Sequence, residues 1–236
     1  MVTEDNLQTL SKGELHVTGR LVDASNATLY ATATLEDQAI VCIYKPIAGE
    51  RPLWDFSDGC LAHREYAAYL VSDHLGFNLV PLTILRDGPY GFGMVQQWVD
   101  IDENIDLGKF FSTDHPKLRS MALFDAIINN TDRKIGHLLP LDGHTLFGCD
   151  HGVTFHSDNK LRTVLWQWAD EQFTEKEIEL LMRAKVLMVT ELREKLKPLL
   201  SQDEIDAMAA RIDRLIDQGR FPLPNPDWPA VPWPAF

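Results

Sequence analysis

An Asp-Gly pair between two short apolar runs constrains the middle of the chain. Asp142-Gly143 has apolar residues close to it on both sides. This pattern predicts a β-hairpin, because Asp and Gly tolerate the positive φ of a tight turn. Since a hairpin brings its ends together, we expect the loop around Asp132 to lie beside the loop around Asp150. Two carboxylates at one hairpin mouth can supply a base for a hydroxyl nucleophile and a ligand for a phosphate-bound metal.

The composition is that of an ordinary globular protein. A chain of 236 residues, with 45% hydrophobic and 24% charged residues, suits one large domain or two small lobes. We expect a cytoplasmic protein, because the sequence shows neither a long apolar span nor the basic start of a signal peptide. The net charge of −13 argues against nucleic acid and against an anionic membrane as partners. Neither a disulfide framework nor a zinc site is indicated by the three distant cysteines, Cys42, Cys60 and Cys149.

The first half predicts a small antiparallel sheet that carries one helix. Alternating apolar residues and β-branched or aromatic runs indicate the strands, and a longer apolar segment indicates the helix. A turn is expected at residues 35–38, and another at Asp87-Gly88-Pro89. The strands are expected over residues 14–18, 28–34, 39–44, 79–85 and 91–99, and the helix over 61–75.

The second half predicts helices and an extended tail. Apolar residues at helical spacing run from about Pro116 to Asn129. Two segments resemble capping boxes, and they open helices expected over 174–197 and 201–219. The tail contains six prolines, so it is expected to be extended. Its aromatic residues should dock onto the protein, with a partner-binding arm as the alternative; they are Trp228, Trp233 and Phe236.

Several short motifs follow one another in an order that resembles a known family. Asn130-Thr131-Asp132-Arg133 resembles the catalytic loop of the phosphatidylinositol 3-/4-kinase-like branch of the protein-kinase fold, in particular the type II phosphatidylinositol 4-kinases and their bacterial relatives. The matching segments run from about residue 14 to residue 200. The other motifs are Ile43-Tyr44-Lys45-Pro46, His63-Arg64-Glu65-Tyr66-Ala67-Ala68, Asn78-Leu79-Val80-Pro81 and Asp150-His151-Gly152.

The resemblance implies an α+β, bilobal protein-kinase-like fold with an antiparallel β-rich N-lobe and a mainly helical C-lobe. The N-lobe would span residues 1–99, the C-lobe with its catalytic hairpin 100–220, and the Pro/Trp-rich extended tail 221–236. ATP would bind between the lobes. The residues implied for nucleotide binding are Lys45 on the phosphates, Glu65 as its partner, Ser25 and Asn26 in the phosphate-covering loop, and Gln96, Gln97 and Trp98 at the hinge.

The resemblance also implies a catalytic pair and a metal site. Asp132 would orient or deprotonate the attacking hydroxyl, and Arg133 would steady the loop or the developing phosphate charge. Asp150 would hold Mg²⁺ or Mn²⁺. His137 stands where the family has an Asn ligand, and Mg²⁺ prefers oxygen, so Mn²⁺ preference and loss of activity both stay open.

Each of these residues also has a structural interpretation. Lys45 would then be an ordinary edge-strand lysine, and Glu50 is a competing partner for it. Asp132 would only accept turn hydrogen bonds, and Arg133 would form a structural salt bridge. A hinge role for Gln96 competes with a plain strand.

The expected function is an ATP-dependent phosphotransferase that acts on a hydroxyl of a soluble small molecule or a protein. An inositol lipid is disfavoured, because the segment from Ile47 to Gly59 lacks a basic patch or a cysteine cluster. A pseudokinase that binds nucleotide and acts through partners is one alternative. AMP transfer on the same fold is another, and a non-kinase α/β binding protein is the plainest.

Overall fold

The computed structural model describes residues 3–21, 26–51, 53, 55–56 and 59–236. Ser25 therefore lies outside the described residues. The first part is built from α1 (Glu4–Lys12), β1 (Glu14–Arg20), β2 (Leu29–Leu35), β3 (Gln38–Pro46), α2 (Leu61–His74), β4 (Thr83–Gly88) and β5 (Gly91–Gln97). The second part is built from α3 (Leu107–Phe110), α4 (Pro116–Ile128), β6 (Leu138–Pro140), β7 (Leu146–Gly148), α5 (Glu175–Leu187), α6 (Glu191–Leu196) and α7 (Gln202–Gln218).

The first five strands form one antiparallel sheet in the order β1-β2-β3-β5-β4. The predicted antiparallel sheet is confirmed, and the turn between β2 and β3 contains Glu36 at φ 54°. β4 begins at Thr83 instead of residue 79. Ser72 Oγ accepts the backbone N–H groups of Leu79 and Val80, and Pro81 has no N–H to give, so the preceding segment is not part of the ladder.

Helix α1 had no counterpart in the sequence prediction. Thr3 caps its N-terminus by accepting a hydrogen bond from the backbone N–H of Asn6. Leu10 of α1 packs in a small core with one face of the sheet, where Cys42, Tyr44 and Val95 are also buried. The sheet therefore has its own apolar core, covered by α1.

Helix α2 packs into the second, larger core. Ala67, Ala68 and Val71 of α2 belong to one buried cluster with the helices of the second part, including Phe124 and Ile205. The buried pair between Arg64 Nη2 and Glu204 Oε1 at 2.5 Å also joins α2 to α7. As a result, α2 is packed against the helical part as well as against the sheet.

The two faces of β3 serve different purposes. Side chains alternate along a strand, so Cys42 and Tyr44 enter the core beneath α1 while Ile43 and Lys45 face the opposite side. β3 pairs with β5 so that Ile43 lies opposite Gln96. The second face of the sheet therefore presents Ile43, Lys45 and Gln96 toward the helical part.

The helices of the second part differ from the prediction at two points: α3 had no counterpart, and the segment after residue 174 is divided. α4 ends as expected, with Asn129 in the left-handed conformation at φ 53°. The single helix predicted over 174–197 is wrong, because α5 ends at Leu187 and α6 begins at Glu191. Thr190 lies between them with φ −131° and ψ −127°, and its hydroxyl donates to the carbonyl of Val186. β-Branched residues and back-bonding hydroxyls are poor helix formers, which accounts for the break.

The central hairpin is confirmed, although its turn differs from the expected one. β6 and β7 pair antiparallel, with residues 141–145 as the loop. Asp142 and Gly143 do not have positive φ. Instead, Asp142 Oδ1 accepts the backbone N–H groups of His144 at 2.7 Å and Thr145 at 2.6 Å, so the side chain closes the loop as an Asx turn.

The tail lies extended on the helical part, as predicted. The carbonyl of Ala230 accepts hydrogen bonds from Thr163 N at 3.0 Å and Trp166 Nε1 at 2.9 Å. The carbonyl of Ala235 accepts one from Ile135 N at 2.9 Å. Trp233 does not dock, since it is 92% exposed. Among the described residues, no helix has the length and apolar character needed to cross a bilayer.

Candidate active site

Lys45 is the centre of an ion-pair network between the sheet and the helical part. Its Nζ lies 2.7 Å from Glu65 Oε1 on α2 and 2.9 Å from Asp150 Oδ1 after β7. The other oxygen of Glu65 accepts the backbone N–H of His151 at 2.8 Å. Glu50 is not the partner of Lys45, because both its oxygens accept N–H groups from the first turn of α2. The pairing of Lys45 with Glu65 predicted from the sequence is present.

Asp150 is the partner that fixes the charge state of this network. The ammonium of Lys45 holds the pKa of Asp150 below its usual range against the opposing effect of burial. Burial alone would lower the pKa of Lys45, but the carboxylates of Asp150 and Glu65 outweigh burial and raise it. Asp150 has φ 61°, a conformation rare outside glycine that is often found at functional sites. The network therefore keeps an ammonium and a carboxylate paired at neutral pH.

Asp132 lies on the loop before β6 and is flanked by two cations. Lys134 Nζ is 3.6 Å from Asp132 Oδ2, and Arg162 Nη2 is 3.5 Å from Oδ1. The side-chain oxygen of Asn130 accepts the N–H of Asp132 at 3.0 Å and fixes the loop. Burial raises the pKa of Asp132, with the two cations acting in the opposite direction. A carboxylate with a raised pKa is better matched to accept a proton near neutral pH.

Lys134 and Arg162 were not among the residues singled out in the sequence. Lys134 follows Asp132 by two residues, and a basic side chain beside a candidate base was a signal in the sequence. Arg162 comes from a distant loop, where its Nε also donates to the carbonyl of Thr131 at 2.6 Å. No local pattern marks Arg162, because the contact is made only by folding.

Arg133 lies in the core and not in the cleft. Its guanidinium is 0% exposed and binds Asp125 through Nε and Nη2 at 3.0–3.2 Å. Nη1 donates to the carbonyl of Cys149 at 3.1 Å, and Nη2 lies 2.7 Å from His151 Nε2. The structure therefore gives Arg133 the structural salt bridge, the alternative to a phosphate contact. Its contacts tie the loop of Asp132 to the segment of Asp150.

His137 faces Asp150 across the mouth of the hairpin. Its Nε2 is 3.6 Å from Asp150 Oδ2, while its Nδ1 accepts the N–H of Lys134 at 3.5 Å. Burial lowers the pKa of His137 to about 4, so the imidazole is neutral at pH 7. Because Nδ1 accepts a hydrogen bond, the single ring proton is on Nε2 and faces Asp150. The described residues contain no group of three or more His, Cys, Asp and Glu side chains able to hold a metal ion.

The donor set of Asp150 and His137 fits a metal that takes its other ligands from elsewhere. Mg²⁺ is commonly bound in proteins by one or two carboxylates together with substrate phosphates and water. The Oδ2 atom of Asp150, which Lys45 does not contact, would be the oxygen ligand. The neutral nitrogen of His137 suits Mn²⁺ better than Mg²⁺.

A cleft of about 620 Å³ separates the sheet from the helical part. Lys45 borders it from the sheet, and Asp132, His137 and Asp150 border it from the hairpin. The side chains predicted to face one another are thus on the walls of one cavity. Leu21, Ile43, Leu139 and Ile101 supply apolar wall, so the cleft can enclose a flat ring as well as charged groups.

The hinge segment follows β5 along this cleft. Gln96, Gln97 and Trp98 all line it, as predicted. However, the backbone N–H groups of Gln97 and Trp98 already donate to the carbonyls of Leu82 and Val41. Within the part of the chain that the structure describes, the N–H of Val99 has no hydrogen-bond acceptor. Val99, the last residue of the hinge segment predicted over 96–99, is therefore the hinge donor open to a ligand.

Asn26 lies at the opposite edge of the cleft, close to Lys45. Its side-chain oxygen accepts the backbone N–H of Arg51 at 2.9 Å, which joins Asn26 to the segment after β3. Asn26 is thus placed near the position predicted for the phosphate-covering loop, with its oxygen already bonded within the protein.

Comparisons with known proteins agree with this architecture. The crystal structure of the golgi casein kinase aligns with a TM-score of 0.54 and 14% identity, over 92% of this chain and 75% of that one. The Helicobacter pylori proinflammatory kinase CtkA aligns over 90% of this chain and 94% of its own with 12% identity, but its TM-score of 0.47 is too low to carry weight. No family model matches the chain.

The α+β fold is therefore the bilobal protein-kinase-like fold, with an antiparallel β-rich N-lobe and a mainly helical C-lobe. Protein Rv2133c of Mycobacterium tuberculosis is 42% identical over 269 aligned positions, which cover 99% of this chain and 96% of that protein. The chain belongs to the family of Rv2133c. The match to the golgi casein kinase supports the protein-kinase-like fold, so the narrower phosphatidylinositol kinase resemblance stays a prediction.

Proposed function

We propose that this protein is an ATP-dependent phosphotransferase that acts on a hydroxyl group. The observation that carries the proposal is the meeting of Lys45, Asp132 and Asp150 on the walls of one cleft, with Glu65 holding Lys45 in place. Phosphoryl transfer depends mainly on positioning and charge stabilisation, and these are the properties of this arrangement.

The proposed roles follow from position and charge. Lys45, kept as an ammonium by its two carboxylate partners, binds the phosphates of ATP. Asp132 accepts the proton of the attacking hydroxyl, for which its raised pKa suits it. Lys134 lies close enough to Asp132 to stabilise charge that develops on the transferred phosphate. Arg133 holds the loop from behind and does not contact substrate.

A divalent metal fits beside Asp150. When bound there, Mg²⁺ or Mn²⁺ would neutralise charge on the bridged phosphates. Asp150 would hold the ion, and His137 Nε2 would add a nitrogen ligand once its proton moves to Nδ1, with loss of the hydrogen bond from Lys134. With the ion present, Asp150 would be shared between it and Lys45, because only one of its oxygens contacts the ammonium.

The proposed acceptor is a soluble small molecule or a protein. We propose that the protein is related to the phosphatidylinositol 3-/4-kinase-like family but does not share its lipid substrate. The cleft mouth carries Asp100 and Glu103, which do not favour an anionic membrane surface. The proposed division places the N-lobe at 1–99, the C-lobe at 100–220 and the tail at 221–236. The network around Lys45 joins the first two.

The test is a comparison of two Asp→Asn variants. Asp132→Asn should bind ATP as tightly as the wild type and lose at least about a hundredfold of the metal-dependent turnover, in line with the usual contribution of a positioned base. Asp37→Asn, in the exposed turn between β2 and β3, is the matched control and should keep both properties. Undiminished turnover in Asp132→Asn would refute the assignment.

A pseudokinase is the second candidate, and His137 is the observation that favours it. A nitrogen in place of an amide oxygen disfavours a second Mg²⁺. Calorimetry that shows ATP binding without turnover, in Mg²⁺ and in Mn²⁺ over a broad set of acceptors, would select this candidate. AMP transfer would be recognised instead by the larger mass added to the acceptor.

A further inference from the structure

A chain of two hydrogen bonds fixes the orientation of the Gln96 side chain. The hydroxyl of Thr83 donates to the carbonyl of Pro81 at 2.8 Å. A hydroxyl has only one hydrogen, so the Thr83 oxygen can only accept from Gln96, which lies 2.9 Å away. The amide atom that contacts Thr83 must therefore be Nε2. The two ends of this amide are not interchangeable here, although amide flips are otherwise hard to assign.

The other end of the same amide borders the cleft. Gln96 lies on β5, opposite Thr83 on the neighbouring strand β4 and opposite Ile43 on the other neighbour, β3. It lines the cavity together with Ile43. In the part of the chain that the structure describes, Gln96 Oε1 has no hydrogen-bond partner, yet it is not among the buried polar atoms that lack one. Oε1 is therefore accessible from the cleft as a pure acceptor, in a residue only 6% exposed.

We propose that Gln96 Oε1 accepts a hydrogen bond from the 6-amino group of adenine and so selects adenine over 6-oxopurine nucleotides. This inference rests on the proposed nucleotide-binding function and deepens it. Adenine offers a donor at position 6 and an acceptor at N1, which complement the oxygen of Gln96 and the free N–H of Val99. Guanine and hypoxanthine offer an oxygen at position 6 and an N–H at N1. Two acceptors would therefore face each other at Gln96, and two donors at Val99.

The selectivity comes from Thr83 as much as from Gln96. An unconstrained Gln can rotate its amide and present either a donor or an acceptor. Thr83 prevents this rotation, because a turned amide would place Oε1 against an oxygen that has no hydrogen left to give. Thr83 is thus a positioning residue, and Gln96 is the residue that contacts the base.

The experiment measures the affinities of ATP and ITP, which differ in the purine at position 6. The wild type should bind ATP on the order of tenfold or more tightly than ITP, since a mismatched buried acceptor loses a hydrogen bond without replacement. Gln96→Met keeps the length of the side chain and should weaken ATP binding, so the preference should lose the part that Oε1 supplies. The N–H of Val99 should still favour the unprotonated N1 of adenine. Thr83→Val frees the amide of Gln96 to rotate. The ATP-to-ITP affinity ratio should then decrease, partly because ITP binds more tightly.

The matched control is Thr9→Val. Thr9 is also buried and also hydrogen-bonds a glutamine, Gln38, but lies on α1 away from the cleft. Its ATP-to-ITP ratio should equal that of the wild type, so a loss of stability alone does not reproduce the effect.

The outcomes separate this inference from the function on which it rests. Equal affinities for ATP and ITP in the wild type would overturn the role of Gln96 and leave nucleotide binding intact. An unchanged ratio in Gln96→Met would overturn it too, even if Thr83→Val does not fold. Failure of the wild type to bind any nucleoside triphosphate would overturn the proposed function and this inference together.

Discussion

Replacing Arg133 by Met should lower the free energy of unfolding without any direct effect on a reacting group. Met fills most of the volume of the arginine but removes every hydrogen bond of the guanidinium. Those bonds reach Asp125 at 3.0–3.2 Å, the carbonyl of Cys149 at 3.1 Å and His151 Nε2 at 2.7 Å. The variant therefore separates a structural role from a catalytic one.

The size of the loss follows from what remains around Asp125. The buried carboxylate would keep only the amide of Asn130 at 3.0 Å and the hydroxyl of Thr163 at 3.2 Å as donors. Removing one partner of a buried ion pair costs about 3–5 kcal/mol. Against a total stability of about 5–15 kcal/mol, a loss of about 4 kcal/mol is severe. The melting temperature should fall by roughly 10 °C for a chain of this size.

The assay is urea unfolding followed by tryptophan fluorescence, for which the chain offers six tryptophans. Arg220→Met is the control, because Arg220 also pairs with an aspartate, Asp170, at 2.9 Å, but on the surface. That pair should contribute no more than about 1 kcal/mol. If Arg133→Met stayed within about 1 kcal/mol of the wild type and still lost turnover, the guanidinium would act on the reaction and the structural assignment would be wrong.

Two further predictions concern stability. Glu204→Ala removes the carboxylate that lies 2.5 Å from the buried guanidinium of Arg64, and it also removes the acceptor for the Ser201 N–H at the start of α7. The free energy of unfolding in urea should drop by about 3 kcal/mol; a change below about 1 kcal/mol would show that the fold does not need this anchor. The pKa of His137 is lowered to about 4 in the folded state, so unfolding takes up a proton between pH 6.5 and pH 4. The free energy of unfolding must therefore decrease as the pH is lowered through that window. From pH 7.5 to pH 5 this residue should account for about 2 kcal/mol, and His137→Asn should remove that part of the slope; an unchanged slope would contradict the neutral imidazole.

The hairpin and the site could be predicted because their signals are local. Asp142 and its apolar flanks indicated a hairpin, and the hairpin then placed Asp132 and Asp150 on one cleft with Lys45. The details of the turn were not predictable from residue type alone, since the carboxylate of Asp142 closes the loop without positive φ.

The missed features depend on contacts between distant segments. Arg133 stands next to a candidate base, and only the buried partner Asp125 on α4 shows which way its side chain turns. The fixed amide of Gln96 requires Thr83 on a neighbouring strand. The break at Thr190 is a local exception: its hydroxyl donates to the carbonyl of Val186, while helical spacing continues across it in the sequence.

A crystal structure with a nonhydrolysable ATP analogue and Mn²⁺ tests the proposed site most directly. We expect the adenine between Gln96 and Val99, the phosphates on Lys45, the ion on Asp150, and the terminal phosphate within reach of a hydroxyl held by Asp132. A nucleotide bound outside this cleft, or phosphates turned away from these side chains, would contradict the proposal.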